Sequence, residues 1–352
     1  TKSMKTNYSY QQKAATKIIE MMFSHKHVAT VLAACPGAGK TTISQMVINS
    51  YTTMSSNAKV VVLTEGQNTL KTQYLQELEK SHIKLNFTFG DFTTEAQVRV
   101  GLPQSISQLK GGFDLLIVDE AHRFYKAEMV QDIIKKYNPK HIFLMTGSPT
   151  DFNGKDEYGI YYISAEELQE MGVFSAVNMD VVKVGDKKSP RTTTSQALTM
   201  AKWKGDDLSK IMIACPNIEY ALEVNAVLKI FGYDTALSTS KNDQDDSEIA
   251  RFTSGKANAL IVVGKGILGF NDPNITALFD FKSSENLDNS YQLFARVLRK
   301  HPKGVVKTYY RIADKDFNKQ VLTLHKMLAL MKKNIFTQYT GKNLKLEISR
   351  GG

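Results

Sequence analysis

Cysteine occurs twice in 352 residues, tryptophan once and proline eight times, and acidic residues are outnumbered by basic ones, 35 to 45. Each shortage excludes something. Two cysteines, Cys35 and Cys215, build neither a disulfide framework nor a cysteine-ligated metal site; each closes an apolar, strand-like run and precedes a proline, so a reduced, intracellular protein is expected. No apolar run approaches the roughly 18 residues of a membrane span, and the first residues lack the apolar centre of a signal peptide. The expectation is a cytoplasmic chain, in the host cytoplasm if it is viral, with no membrane partner. Trp203 reads as an edge-of-core residue. The shortage of acid leaves a net charge of +10 and a pI near 9.2, which calls for a polyanionic partner, most commonly nucleic acid. With 42% hydrophobic and 23% charged residues, a chain of this length can bury two separate cores.

What is present centres on Ala34-Cys35-Pro36-Gly37-Ala38-Gly39-Lys40-Thr41, which follows the apolar run 28–33 and precedes a helix-like segment starting near Thr42. A strand, a glycine-bearing loop and a helix N-terminus make a nest of backbone N–H groups at a positive dipole end, where a triphosphate can sit. Pro36, Gly37, Ala38, Gly39 and Thr42 would line that nest. Lys40 would reach the β- and γ-phosphates, and Thr41 would hold Mg²⁺. The match to G-x-x-x-x-G-K-[ST] fails only at its first position, where Ala34 stands.

Around this loop the hydrophobic periodicity lays out an alternating α/β chain. Ala14, Ala15, Ile18, Ile19, Met22 and Phe23 recur at helical spacing. The runs 59–64, 113–118 and 141–145 are continuous in hydrophobicity, as strands buried on both faces are. The second ends in Asp119-Glu120-Ala121-His122, at a strand's C-terminal end, where open α/β sheets bind ligands. Two adjacent carboxylates suit two tasks: Asp119 would hold Mg²⁺, partly through water, and Glu120 would position and deprotonate the attacking water. The third run leads into Thr146-Gly147-Ser148-Pro149.

The second half echoes the first. Lys210-Ile211-Met212-Ile213-Ala214-Cys215-Pro216 parallels 30–36 but continues to Asn217, which predicts a helix capped by Asn217, stopped near Gly232 and lacking a phosphate lysine. Runs 259–263 and 275–280 read as buried strands. A helix then carries residues 291–299, with Arg296 and Arg299 three apart on one face. Val321, Leu324, Leu328, Met331 and Ile335 predict a C-terminal amphipathic helix, basic on its outer side. Between the halves a short helix is expected around 165–171, and the polar, turn-rich stretch 183–195 reads as a linker.

Together these residues resemble the superfamily 2 helicases and translocases. A-x-x-G-x-G-K-T resembles their motif I, in which alanine commonly opens the loop, D-E-A-H is a motif II, and Thr146-Gly147-Ser148-Pro149 resembles motif III. Tyr10-Gln11 resembles the Y-Q-x-x-A element that precedes motif I, which implies that Gln11 reads the adenine edge and Tyr10 packs on the base. Residues 64–70 resemble motif Ia, implying nucleic-acid contacts from Thr64, Gln67 and Asn68; residues 104–109 resemble T-x-Q-S-L, with Ser105 a phosphate donor. Residues 264–273 resemble motif V in the form K-x-x-x-G-F-D-x-P of type I restriction motors and phage recombination helicases. Here Asn271 replaces an aspartate beside the ribose, and Lys265 and Gly266 would face nucleic acid. Pro216 and Asn217, at the second junction, are expected nucleic-acid contacts. Gln292-x-x-Ala295-Arg296-x-x-Arg299 fits motif VI with alanine for glycine. The resemblance implies that His122, Thr146, Ser148 and Gln292 couple hydrolysis to domain movement, and that Arg296 and Arg299 stabilise charge on the γ-phosphate when a cleft closes.

The fold implied is α/β: two tandem RecA-like domains with mostly parallel sheets plus a C-terminal amphipathic helix. The expected division is 1–178, a linker at 179–200, 201–312, and an extension at 313–352. The function implied is an ATP- and Mg²⁺-dependent helicase or translocase on nucleic acid, DNA favoured over RNA. The chain would be monomeric, with its C-terminal helix a place for a protein partner. Two alternatives stay open: a duplex or branch-migration translocase that does not separate strands, and an ATP-gated clamp or annealing factor with little turnover, suggested by Asn271 and Ala295.

Overall fold

The computed structural model describes residues 2–64, 87–90, 92–93, 95–147, 151–152, 154–264 and 272–332. Within these the chain divides between Ser164 and Ala165 into two compact units. Gln67, Asn68, Ser148, Pro149, Lys265, Gly266, Asn271 and Ile335, all singled out above, lie outside the described residues.

The first unit is built on strands β1 Ala29–Ala34, β2 Val60–Leu63, β3 Phe87–Phe89, β4 Val98–Gly101, β5 Leu115–Val118, β6 His141–Thr146 and β7 Tyr158–Ile163. They form a seven-stranded sheet in the order β3-β4-β2-β5-β6-β1-β7, and every neighbouring pair is parallel. Strands β1, β2, β5 and β6 are buried throughout, the reason their hydrophobicity is unbroken. One core joins Val31, Val61, Leu116 and Leu144 of the sheet to Val130 and Ile133 of the helix Glu128–Tyr137. The helix Lys2–Phe23 packs against the helix Lys40–Met54 and β1, burying Ala14, Ala15, Ile18 and Met22.

The second unit repeats the plan with β8 Val177–Lys183, β9 Ile211–Ala214, β10 Thr235–Thr239, β11 Ala259–Val263, β12 Ala277–Asp280 and β13 Lys307–Ala313. This six-stranded sheet, β10-β11-β9-β12-β13-β8, is also parallel at every neighbouring pair. The tandem parallel α/β sheets expected from the sequence are therefore present.

Several expectations need correction in detail. The stretch 179–200 is not a linker: its start completes β8, its end lies in the helix Pro190–Trp203, and only 184–189 connect the two. The polar, proline-bearing turn is a helix start, since the Ser189 side chain accepts from the Thr192 amide at 3.3 Å and Pro190 opens the helix. The units part at 164/165 rather than at 178, because β7 pairs with β1 while β8 pairs with β13. Trp203 is 85% exposed, not at a core edge. Its helix buries Thr194, Ala197, Leu198 and Ala201, a stripe whose next positions bypass residue 203.

At the C-terminal end, a division at 312/313 would cut β13. The following helix, Phe317–Met331, packs on β8 and β13 and buries Gln320, Leu324, Met327 and Met331. A buried polar network fastens it. Arg311, 0% exposed, donates to Asp280 at 3.2 Å, to the Ser284 carbonyl at 2.7 Å and to Gln320 at 3.0 and 3.1 Å. Tyr309 donates to the same Asp280 oxygen at 2.8 Å.

Candidate nucleotide site

In the first unit β5, β6 and β1 are consecutive in the sheet and parallel, so the segments following Val118, Thr146 and Ala34 all leave the same edge. Neighbouring strands lie about 5 Å apart, which puts the segments after β5 and β1 about 10 Å from each other. That topology is what gathers residues 34–41, 119–122 and 146–147.

The segment from Cys35 to Gly39 turns on two left-handed glycines, Gly37 at φ 84° and Gly39 at φ 83°. Gly39 is also the N-cap of the helix Lys40–Met54 and, being a glycine, gives it no side-chain cap. A Cβ there would lie 2.3 Å from Nε2 of Gln11. Tyr10 donates its hydroxyl to the Ala38 carbonyl at 2.8 Å. The pair read as an adenine-binding element thus touches the loop's own backbone. Lys40 Nζ donates to the Ala34 carbonyl at 3.2 Å, spanning the loop it closes. Gly147 backs onto the same loop: a Cβ on it would lie 3.7 Å from the Ala34 carbonyl oxygen and 3.8 Å from Lys40 Nζ.

Asp119 has both carboxylate oxygens engaged. Oδ1 accepts from the Glu120 amide at 2.9 Å and Oδ2 from the Thr64 hydroxyl at 3.2 Å. Thr64 reaches it because β2 and β5 are adjacent and Leu63 stands opposite Val118. Sequence reading assigned Thr64 to nucleic acid; the bond to Asp119 was legible only once the strand order was known. Glu120 stands at φ 48°, in the left-handed region uncommon for a residue with a Cβ, a strain that is concentrated at working sites. His122 links the motifs, with Nδ1 2.9 Å from the Thr146 hydroxyl and Nε2 3.5 Å from a Glu120 oxygen.

These donors fit a magnesium nucleoside triphosphate. The N-terminus of the helix Lys40–Met54 has no side-chain cap, Gly39 holds a left-handed backbone at φ 83° with the Gln11 amide against it, and a lysine, Thr41 and a carboxylate stand at one sheet edge. Thr41 and Asp119 would hold the metal, which would neutralise phosphate charge when bound. Ser105 is half-buried in the 3-10 turn Pro103–Gln108.

In the second unit the echoing junction is closed to this chemistry. Asn217 caps the helix Ile218–Ile230 by accepting from the Tyr220 amide at 2.8 Å, and Gly232, at φ 92°, follows that helix's end. Gln292 lies half-buried in the helix Leu287–Phe294. That helix does not run on to Arg299, so the two arginines do not share one α-helical face. Arg296 falls in the 3-10 turn Ala295–Val297, and Arg299 forms a β-bridge with Phe174. The Leu298 carbonyl accepts from the Ser175 amide at 2.8 Å, pairing that diverts the backbone from the helix. Burial pushes Arg296 down to about 10, with Arg299's charge adding to the effect. Ala295, in place of a glycine, sits at φ −58°, ψ −17°, so its Cβ brings no backbone strain.

Residues 4–151 match the family model described as "Type III restriction enzyme, res subunit". That match spans less than half of the chain and falls within the first unit, which is thus similar to that family. None of the curated protein sequences matches it. Among solved structures it is similar to Saccharomyces cerevisiae Dbp5 bound to RNA and ADP BeF3, at 13% identity and a TM-score of 0.59, covering 86% of this chain and 84% of that one. It is similar to the ATP-dependent Type ISP restriction-modification enzyme LlaBIII bound to DNA, at 16% identity and a TM-score of 0.69, covering 93% of this chain but 30% of that enzyme. The Pyrococcus furiosus Hef helicase domain matches at 13% identity and a TM-score of 0.56, covering 89% of this chain and 96% of that one. At these identities the likeness is one of fold. Among the described residues, no helix is long and apolar enough to cross a membrane.

Proposed function

We propose that this chain is a superfamily 2 ATPase, stimulated by nucleic acid, that translocates on DNA. The observation that carries the reading is the convergence at one sheet edge of Lys40, the Asp119-Glu120 pair and the His122–Thr146 bond, on three consecutive parallel strands. Phosphates of ATP would take the amides after Gly39 and the ammonium of Lys40. Glu120 would orient a water and take its proton, and His122 would pass the state of that carboxylate to Thr146 and so to the end of β6. Arg296 and Arg299 would reach the γ-phosphate when the units come together during turnover, supplying the delocalised charge that phosphoryl transfer needs. A net charge of +10 supports a polyanionic track. The likeness to LlaBIII, which was solved bound to DNA, supports a DNA track, and the likeness to Dbp5, solved bound to RNA, makes RNA the competing one.

A second reading is movement along duplex without strand separation. ATPase rates measured with single-stranded, duplex and branched DNA and the matching RNAs test the first reading. Stimulation by DNA well above that by RNA is expected; a rate indifferent to every nucleic acid would remove it. A forked-duplex unwinding assay divides helicase from translocase. Glu120→Gln should keep ATP binding and lose turnover by about a thousandfold, and near-normal hydrolysis by that variant would overturn the assignment of the base.

A further inference from the structure

The network around Arg311 reaches beyond the C-terminal helix to the stretch resembling motif VI. Its guanidinium makes one hydrogen bond for each of its five N–H groups: from Nη1 to Asp280 and the Tyr309 hydroxyl, from Nη2 to the Ser284 carbonyl and Gln320, and from Nε to Gln320 again. Ser284 lies in the turn between β12 and the helix Leu287–Phe294. The same carbonyl accepts from the hydroxyl of Ser290, inside that helix, at 2.9 Å.

The residue before Ser284 is held as tightly. Ser283 stands at φ 44°, a left-handed backbone for a residue with a Cβ. Its amide donates to Asp280 Oδ1 at 2.8 Å and its hydroxyl to the Asp280 carbonyl at 2.7 Å. The Ser283 hydroxyl oxygen accepts from the Ile312 amide at 3.1 Å, and the Ser283 carbonyl from Gln320 Nε2 at 3.3 Å. At the other end of the helix the buried Phe294 ring meets Tyr309 edge to face, ring centroids 5.2 Å apart, and Arg296 follows in the 3-10 turn that begins at once.

Apolar side chains of like volume can fill such a space with little or no loss of stability. What a fully satisfied polar network adds is a single allowed geometry. We propose that Arg311 and Gln320 are positioning residues for Arg296: they hold the Ser283 and Ser284 carbonyls ahead of the helix Leu287–Phe294, and Arg311 holds Tyr309 against its far end, so that the helix delivers the Arg296 guanidinium in one place. The inference rests on reading Arg296 as the group that stabilises charge on the γ-phosphate. Through Gln320 the C-terminal helix takes part in turnover without touching substrate.

The test uses the 352-residue chain with DNA. ATP turnover and thermal melting are measured for the native protein, Gln320→Leu, Ser283→Gly, Leu198→Ala, Arg296→Ala and the double variant Gln320→Leu with Arg296→Ala. Leu198→Ala opens a cavity in the same unit's core from the helix Pro190–Trp203, and shows how much turnover a lowered melting point alone removes. At a temperature where every variant is folded, Gln320→Leu should lower kcat about tenfold with KM for ATP changing less than about twofold. Leu198→Ala should keep the native kcat. Ser283→Gly, which suits φ 44° but lacks the hydroxyl, should melt close to the native protein and lose about threefold in kcat. In the slow Arg296→Ala background Gln320→Leu should cost nothing more.

Native kcat in Gln320→Leu, an equal loss in Leu198→Ala, or a full further loss in the double variant would each overturn the proposal. Should Gln320→Leu fail to fold, Ser283→Gly decides, and native turnover by it is the overturning result. Normal hydrolysis by Arg296→Ala would remove the motif VI reading itself; a slow Arg296→Ala beside a native-like Gln320→Leu removes only the positioning role.

Discussion

In the first unit the chain leaves β1 at Ala34 and reaches its helix only at Lys40, through a loop whose Gly37 and Gly39 stand at φ 84° and 83°. In the second it leaves β9 at Ala214 and is in its helix by Ile218, with Asn217 extended at φ −154°. Both junctions read Ala-Cys-Pro, both cysteines are buried, and both helices return along a parallel sheet. What separates them is who satisfies the first amides of the helix. Asn217 does so with its own side chain, whereas Gly39 has none to offer. A helix N-terminus becomes an anion site when its cap is withheld, and the extra loop residues keep the backbone clear of the space a phosphate would fill. On the proposed reading, one architecture would thus serve once as a ligand site and once as plain structure, decided by three residues after a shared proline.

If that division is right, changes at the two junctions should act on different measurements. Lys40→Ala should reduce ATP turnover by about a thousandfold and weaken binding of a fluorescent ATP analogue, since it removes the charge aimed at the phosphates. An unaltered turnover would return the first junction to the status of the second. Next in size, Arg311→Met strands the Asp280 carboxylate in the second core and should cost about 3–5 kcal/mol in denaturant unfolding. ATP binding by the surviving folded protein should stay near native, because Arg311 and the glycine loop belong to separate units. Gly39→Ala comes third. A Cβ would meet Gln11 Nε2 at 2.3 Å, on a backbone at φ 83°. A loss of ATP affinity of about tenfold or more is expected, and a partial return on combining it with Gln11→Ala would show that the clash, rather than the left-handed backbone alone, is responsible.

How far these features could be read without coordinates follows from their physics. Buried parallel strands announce themselves because both faces need apolar residues, and Leu115–Val118 and Ala259–Val263 were legible for that reason. Asn217 and Gly232 were legible as the bounds of a helix because capping chemistry is local. The register between strands is not local, so the Thr64–Asp119 bond stayed hidden although both residues had been singled out. The turn-like stretch ending in Ser189-Pro190 carries the same residues in a linker and at a helix start, and only the Thr192 amide distinguishes the two. Helical spacing put Arg296 and Arg299 on one face, but the bridge from Arg299 to Phe174, more than a hundred residues earlier, ends the helix first. Lys307 gave no signal at all. A lysine at the start of a strand reads as a surface charge, yet Lys307 is 0% exposed and donates to the Pro273 carbonyl, which arrives from elsewhere in the chain.

The smallest effect is the sharpest test of the comparison. Asn217→Ala removes one side-chain cap, which by general experience costs about 1 kcal/mol, and leaves the Tyr220 amide to water. Denaturant unfolding should register that loss, while ATP affinity should not change. Asn217→Gly should recover most of the stability, since glycine is nearly as good as asparagine at an N-cap, and it would give the second helix the same bare start as the first. If a bare start were enough to bind phosphate, this variant would acquire weak affinity for ATP in a background where Lys40→Ala has silenced the first junction. The expectation is that it does not. The second junction lacks both the left-handed glycine loop and the lysine, and backbone amides without a fixed concave approach or a permanent charge compete poorly with water for an anion.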